Sequence, residues 1–169
     1  MDDGSVAPVS DTTRKAGSRE RVRAYLQARG LSEDLFEFEQ STKTAQDAAD
    51  AMGCELGQIV KSLVFVVDGA PVLALVAGDR RGDTDAIAAL VGGRKARFAD
   101  AETVRSATGY AIGGVSPFDL PENLPVFADS SLARFETVYP AAGTPSSMVR
   151  MALQELIELA EARVADISL

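Results

Sequence analysis

Two apolar runs joined by a tight-turn signal constrain the fold of this 169-residue chain more than any other feature. Gln58 to Val67 is rich in β-branched and aliphatic residues, and Pro71 to Ala77 has the same character. The Asp68-Gly69 pair between them favours a two-residue hairpin turn. The sequence therefore predicts an antiparallel hairpin of two buried strands.

Lys61 interrupts the first of these strands. Because side chains alternate across a strand, Lys61 shares a face with four apolar residues, Ile59, Leu63, Phe65 and Val67. Burying an ammonium group among aliphatic side chains is costly unless an anion or a set of acceptors meets it. Lys61 therefore either extends out to solvent from the strand end or waits for a ligand, and we favour the ligand.

The rest of the chain alternates helical and strand patterns. Residues 1–17 are polar without periodicity and predict a flexible tail, so that residues 18–169 form one compact domain. Helices are predicted at Ser18–Arg29, Thr44–Gly53, Asp83–Val91, Asp100–Thr108 and Gln154–Glu161, and further short strands at Leu35–Phe38, Arg94–Phe98, Val126–Ala128, Phe135–Tyr139 and Met148–Met151. The expected class is α+β, that is, mixed α/β with a mixed sheet.

Composition excludes several kinds of site. The chain has no histidine, so neither a Ser-His-Asp unit nor a His-ligated metal is possible. The single cysteine, Cys54, can form no internal disulfide, and without histidine it can form no structural zinc site. We therefore expect Cys54 to be a small core residue. Because the chain has no disulfide, we expect a cytoplasmic protein. We expect no metal and no cofactor, and no apolar stretch is long enough for a membrane helix.

The net charge of −8 argues against a protein that coats nucleic acid by neutralising phosphates. It leaves room for a local basic patch that contacts a short nucleic-acid end. Such a patch is present in the sequence as Arg80, Arg81, Arg94, Lys95 and Arg97, although each is equally compatible with an ordinary solvated surface.

Two glycine-proline loops follow the hairpin. The first holds Gly113, Gly114 and Pro117, and the second holds Gly143 and Pro145. Glycine lets another backbone or a ligand approach the main chain closely, yet an ordinary tight turn has the same composition. Neither loop has the spacing of a dinucleotide-binding or P-loop fingerprint, which disfavours a nucleoside-triphosphate hydrolase.

Taken in order, these segments resemble a known family. The matching stretches are Thr44-Ala45-Gln46, Gly53-Cys54, Gln58 to Phe65, Gly78 to Arg81, Thr108-Gly109-Tyr110, Gly113 to Pro117, Asp129 to Leu132 and the Gly143 loop. Over residues 20–168 the chain resembles the YbaK/EbsC-type aminoacyl-tRNA deacylases, relatives of the editing domain of bacterial prolyl-tRNA synthetases. Gly113 and Pro117 match the ends of that family's Gly-x-x-x-Pro loop.

The resemblance implies a trans-editing hydrolase with a mixed, partly barrel-like sheet. Its substrate would be a tRNA acceptor end carrying a small amino acid, similar to Cys-tRNA(Pro) or Ala-tRNA(Pro). A prolyl-tRNA synthetase is an expected partner. For the oligomeric state, a monomer is the simpler expectation. Lys61 would bind a phosphate or the acyl carbonyl. The implied catalytic pocket adds Gly113, Gly114, Ser116 and Pro117, and the implied substrate-binding residues are Thr44, Arg80, Val115, Phe118, Asp129 and Gly143.

Several alternatives stay open. Ser116 as a nucleophile has no histidine to activate it, and a turn-forming hydroxyl is the commoner role. Asp129 could orient Lys61, bind the substrate's amino group or cap a strand end. The whole protein could also bind an aminoacyl-tRNA or a synthetase without turnover, or hydrolyse a small molecule in the same pocket.

Overall fold

A mixed sheet built around one long hairpin forms the centre of the computed structural model. The structure describes residues 11–31, 34–39, 42 and 44–169. Its helices are α1 (Asp11–Gln27), α2 (Ala45–Met52), α3 (Thr84–Leu90), α4 (Ala101–Thr108) and α5 (Leu153–Ala160). Its strands are β1 (Leu35–Glu37), β2 (Ile59–Val67), β3 (Ala70–Ala77), β4 (Ala96–Phe98), β5 (Val126–Asp129), β6 (Thr137–Pro140), β7 (Ser147–Val149), β8 (Met151–Ala152) and β9 (Arg163–Ala165).

The predicted hairpin is confirmed as the longest pairing of the sheet. β2 and β3 pair antiparallel from Val60 opposite Ala77 to Val67 opposite Ala70. The strand order is β8-β6-β2-β3-β5-β9, with β4 also paired to β2, while β1 and β7 form a separate two-stranded sheet. Parallel pairings of β2 with β6, β3 with β5 and β5 with β9 make the large sheet mixed, as predicted.

Local helix signals were sufficient to place most helix ends. Thr44 accepts the amide of Asp47 at 3.0 Å, and the Asp47 carboxylate accepts the amide of Thr44 at 3.2 Å, which confirms the predicted capping box. Gly53 ends α2 in the left-handed conformation. Asp100 and Gly109 bracket α4 in the same way.

Two predictions of secondary structure were wrong in detail, and one strand was missed. The first helix begins at Asp11 rather than Ser18, so residues 11–17 do not belong to an irregular tail, whereas residues 1–10 lie outside the described chain. Arg14-Lys15-Ala16 are strong helix formers, which explains the extension. The predicted strand Met148–Met151 is two strands, because β7 pairs with β1 while β8 pairs with β6. Strand β9 was not predicted, because three residues are too few to show a periodicity.

The sheet has a core on each face and a gap beside β2. Val64 and Leu73 belong to one buried cluster, and Phe65 and Val76 to the opposite one. On its outer edge β2 pairs with β6 only at residues 59–60 and with β4 only at residues 65–67. In the described structure, residues 61–63 therefore have no strand neighbour on that edge. None of the helices in the described chain is long and apolar enough to cross a membrane.

Candidate functional site

A cavity of about 330 Å³ opens at the gap beside β2. It brings together three segments that are far apart in the sequence: the Lys61 strand, the Gly113 loop and the loop that follows Gly143. The first turn of α2 and the end of β4 complete the wall. The residues that line it include Thr44, Lys61, Ser62, Phe98, Ile112 and Gly113, together with Ala48, Val64, Val115, Thr144 and Met148.

Lys61 lies in the wall of this cavity, partly buried. Its ammonium group donates a hydrogen bond to the backbone oxygen of Arg80. Arg80 does not itself line the cavity, so the substrate-binding role implied for it stays a prediction. Burial lowers the pKa of Lys61 from its ordinary 10.5; the nearby Asp79 carboxylate opposes that shift and Arg81 reinforces it. An ammonium has three donors, so the bond to Arg80 leaves others for a ligand.

The neighbouring carboxylate is held by another residue. Asp79 accepts two hydrogen bonds from the guanidinium of Arg134, both at 2.8 Å. These bonds, set against the opposing effect of burial, keep the pKa of Asp79 below 3.8. Among the described residues no ion pair involves Lys61. The site thus presents a cation whose nearest carboxylate is already bound.

The two glycine-proline loops pack directly against each other. A Cβ on Gly114 would lie 2.9 Å from the Cα of Thr144 and 3.0 Å from the backbone oxygen of Gly143. Gly143 itself has φ +99° and a Cβ there would lie 2.7 Å from the backbone oxygen of Ser18 in α1. Gly113, by contrast, has φ +89° and an open environment facing the cavity. Gly114 and Gly143 thus permit a close approach of backbones.

Ser116, Pro117 and Phe118 lie behind the loop and not in the cavity wall. Ser116 and Phe118 are fully buried, and the Phe118 ring stacks on Tyr25 at a centroid distance of 5.7 Å. The Tyr110 hydroxyl donates to the backbone oxygen of Phe118 at 2.6 Å, and burial raises the pKa of Tyr110 to about 12. These contacts brace the loop from beneath, and the direct roles implied for the three residues stay predictions.

Asp129 lies outside the cavity and anchors the C-terminus. Its carboxylate accepts hydrogen bonds from the Ile167 amide and the Ser168 hydroxyl, both at 2.8 Å, and from the Ser131 amide at 3.1 Å. Burial favours a higher pKa, but these hydrogen bonds outweigh it and hold the pKa below 3.8. The substrate-binding role of Asp129 stays a prediction that its position does not support.

We expect Asp129→Ala to lower the free energy of unfolding by about 2–4 kcal/mol, because one buried and two partly buried donors lose a charged acceptor. Urea denaturation measures this loss. In the wild type the contribution of the carboxylate is present above the unfolded pKa and disappears as the pH falls through the lowered folded pKa. Asp166→Ala, at an exposed carboxylate bonded to Ser130, is the matched control; equal losses in both variants would contradict the anchoring role.

Three cavity residues were missed by the sequence analysis. Among the described residues, the buried Ser62 hydroxyl has no hydrogen-bond partner. The backbone oxygen of Val64 points to the outer edge of β2, where it accepts a hydrogen bond from the Ala99 amide at 3.0 Å. Because backbone groups two residues apart in a strand point the same way, those of Ser62 face the gap. Ser62 could have been identified from the sequence, because it is a polar residue in an apolar run. Phe98 and Ile112 could not, because their exposed fractions of 60% and 59% are known only from the folded chain.

The described residues contain no group of three His, Cys, Asp or Glu side chains that could hold a metal ion. The described part of the site presents the Lys61 ammonium, the buried serines Ser62 and Ser147, a glycine loop and apolar walls. Such an arrangement can bind a small group with an oxygen that carries or develops negative charge.

Comparisons with known proteins identify the family of the chain. The family model described as "Aminoacyl-tRNA editing domain" matches residues 39–159. A crystal structure described as a candidate trans-editing enzyme for prolyl tRNA synthetase has 41% identity and a TM-score of 0.82, covering 98% of this chain and 99% of that one. The uncharacterized protein YwhH of Bacillus subtilis (strain 168) is 37% identical over 87% of this chain and 94% of its own length.

A third relative has a described activity. The multifunctional Ser/Thr-tRNA deacylase ProXp-y of Escherichia coli (strain K12) is 30% identical over 78% of this chain and 84% of its own length. The predicted family resemblance and the predicted fold class are thereby confirmed. The chain belongs to the aminoacyl-tRNA editing domain family.

Proposed function

We propose that this protein hydrolyses the ester between a small amino acid and the 3′-terminal ribose of a tRNA. The observation that carries the proposal is the Lys61 ammonium, partly buried in the wall of a cavity that the Gly113 loop also lines. The activity named for the Escherichia coli relative and the trans-editing role described for the similar crystal structure support it.

The chain's own groups suit this chemistry. An aminoacyl ester is already labile, so positioning a water molecule and stabilising charge are sufficient for a large rate increase. Lys61 would meet the acyl oxygen as it becomes an oxyanion, or the adjacent phosphate, while the glycine backbone of the loop lets the ester approach without side-chain obstruction. The missing histidine is no obstacle, because the 2′-hydroxyl of the terminal ribose can assist.

The cavity favours a small aminoacyl group. Its volume of about 330 Å³ must also hold the ester, and most of its walls are apolar. The buried Ser62 hydroxyl is a polar group in this wall that could meet a thiol or a hydroxyl of the substrate. We therefore propose a substrate similar to Cys-tRNA(Pro) or Ala-tRNA(Pro), with a prolyl-tRNA synthetase as the partner that releases it.

A panel of mischarged tRNAs tests the proposal. Alanine, cysteine and serine, each linked to tRNA(Pro) and to its own tRNA, would be incubated with the protein, and the ester half-lives compared with spontaneous hydrolysis. Faster loss of at least one ester supports the deacylase. Saturable binding with unchanged half-lives of all esters would instead identify a binding module.

Ser62→Ala separates a role in recognition from a role in folding. Removing a buried hydroxyl without a partner should leave the free energy of unfolding unchanged or raise it by about 1 kcal/mol. The ratio of kcat/KM for serine or cysteine esters over alanine esters should fall by about tenfold, as expected for loss of one hydrogen bond. Ser62→Thr keeps the hydroxyl and should keep the ratio; an unchanged ratio in Ser62→Ala would remove Ser62 from recognition.

A further inference from the structure

Two large apolar side chains lie exposed at the mouth of the cavity. Phe98 is 60% and Ile112 59% exposed, and both contribute to the cavity wall. The Phe98 ring packs at a centroid distance of 4.6 Å on Phe65, which is fully buried. The ring is thus supported on one side by the core and free on the other. Exposed apolar surface of this kind, at the rim of a cleft, is typical of a binding surface.

The surface around Phe98 carries positive charge although the whole chain is acidic. Arg94, Lys95 and Arg97 are exposed on the segment that leads into Phe98, and Arg105 is exposed on α4. Three nearby carboxylates offset part of this charge: Asp100, which accepts the Thr103 amide at 2.8 Å, Asp68, which accepts the Arg94 amide at 2.9 Å, and the exposed Glu102. An aromatic ring flanked by arginine and lysine is the usual composition of a single-stranded nucleic-acid site.

The covalent structure of the substrate determines which of its groups lies at the mouth of the cavity. In an aminoacyl-tRNA the ester is attached to the same ribose that carries the terminal adenine, so the base follows the ester at the distance of one sugar. If the ester is beside Lys61, the adenine must lie at the cavity mouth. We propose that Phe98, flanked by Ile112, is a stacking platform for the terminal adenine, with Arg97 near the adjoining phosphate. This inference rests on the proposed function.

The size of the apolar patch favours a base over a protein partner. The patch consists of two side chains, Phe98 and Ile112, whereas a specific protein interface buries about 800 Å² on each side. Stacking of one base on an aromatic side chain contributes about 1–3 kcal/mol, which corresponds to about 5- to 150-fold in affinity.

Two unreactive analogues test the platform. In the first, serine or alanine is joined by an amide to 3′-amino-3′-deoxyadenosine, and in the second the same amide is carried by a ribose without a base. Calorimetry would give Kd values for the wild type, Phe98→Ala, Phe98→Trp and, as an exposed apolar control on α3, Leu90→Ala. We expect Phe98→Ala to weaken the adenosine analogue by about 5- to 150-fold and the abasic analogue not at all. Phe98→Trp and Leu90→Ala should bind both as the wild type does.

Each other outcome is decisive. An equal loss on both analogues would show that Phe98 only supports the fold, and an unchanged Kd for adenosine would overturn the platform outright. If Phe98→Ala binds both analogues normally but no longer binds a prolyl-tRNA synthetase, the patch contacts a protein partner, and the stacking platform is overturned too. If the wild type binds the adenosine analogue through Phe98 but hydrolyses no mischarged tRNA, the platform stands and the hydrolase fails. If it hydrolyses tRNA while Phe98→Ala binds both analogues normally, only the platform fails.

Discussion

Replacing Lys61 with methionine is expected to lower the rate of ester hydrolysis by about 10²- to 10³-fold, as loss of one donor to an oxyanion does. The same change should leave the folded protein as stable as the wild type or more so. Burial disfavours the charged form of Lys61, which is why its pKa is lowered, and methionine fills a similar volume without a charge. Activity and stability should thus move in different directions.

The pH dependence of stability follows from the direction of the Lys61 shift. Below the lowered pKa the lysine is charged in both folded and unfolded chains, and the cost of burying it is fully present. Between the lowered pKa and 10.5 the unfolded chain binds more protons, so the stability of the wild type rises with pH over that window. Lys61→Met should lack this rise, which urea denaturation at a series of pH values measures.

The enzymatic rate should have the opposite pH dependence. A charged Lys61 is the active form, so the catalysed rate, after subtraction of hydroxide-driven hydrolysis, should fall as pH rises through the lowered pKa. Single-turnover kinetics with Lys61→Arg, which keeps the charge, and with Arg163→Met, at an exposed cation that does not line the cavity, provide the comparison. A fall in kcat indicates contact with the acyl oxygen, and a rise in KM alone indicates the phosphate. Wild-type rates in Lys61→Met would remove Lys61 from the mechanism.

Features encoded over a few residues could be predicted from the sequence. The Thr44–Asp47 capping box, the Asp68-Gly69 turn and the left-handed Gly109 each depend on partners within four residues, and the structure has all three. Lys61 could be singled out because one charged residue in an apolar strand breaks the pattern. Its hydrogen-bond partner is the carbonyl oxygen of Arg80, which lies nearby because β3 runs back alongside β2.

Features that depend on contacts between distant segments could not be predicted. The gap beside β2 exists because β6 and β4 each cover only part of its edge, and short strands do not reveal their partners in sequence. Gly143 illustrates the same limit. Its position in a glycine-proline loop suggested substrate binding, whereas in the structure it lies against the backbone of α1. Only the folded chain shows that Gly113 faces the cavity and that Gly143 faces a neighbouring backbone.

Gly143→Ala is expected to lower the free energy of unfolding by about 2–4 kcal/mol, and Gly113→Ala by about 1 kcal/mol. Both glycines have positive φ, so alanine is strained at either position. Only at Gly143 would the new Cβ also meet a backbone atom, 2.7 Å from the Ser18 oxygen, which a rotamer change cannot relieve. Near Gly113 the closest atom is the Cγ of Pro145 at 3.9 Å.

Urea denaturation and single-turnover deacylation of the two variants together test whether the loops act as one unit. Displacement of the Gly143 loop must move Thr144, against which Gly114 is packed, so Gly143→Ala should lose activity even at temperatures where it remains folded. Gly92→Ala, with φ +68° in open space away from the cavity, controls for strain alone. Equal stability of Gly143→Ala and Gly92→Ala would mean that α1 yields to the new methyl group, and the close approach of these backbones would then not be what holds the cavity together.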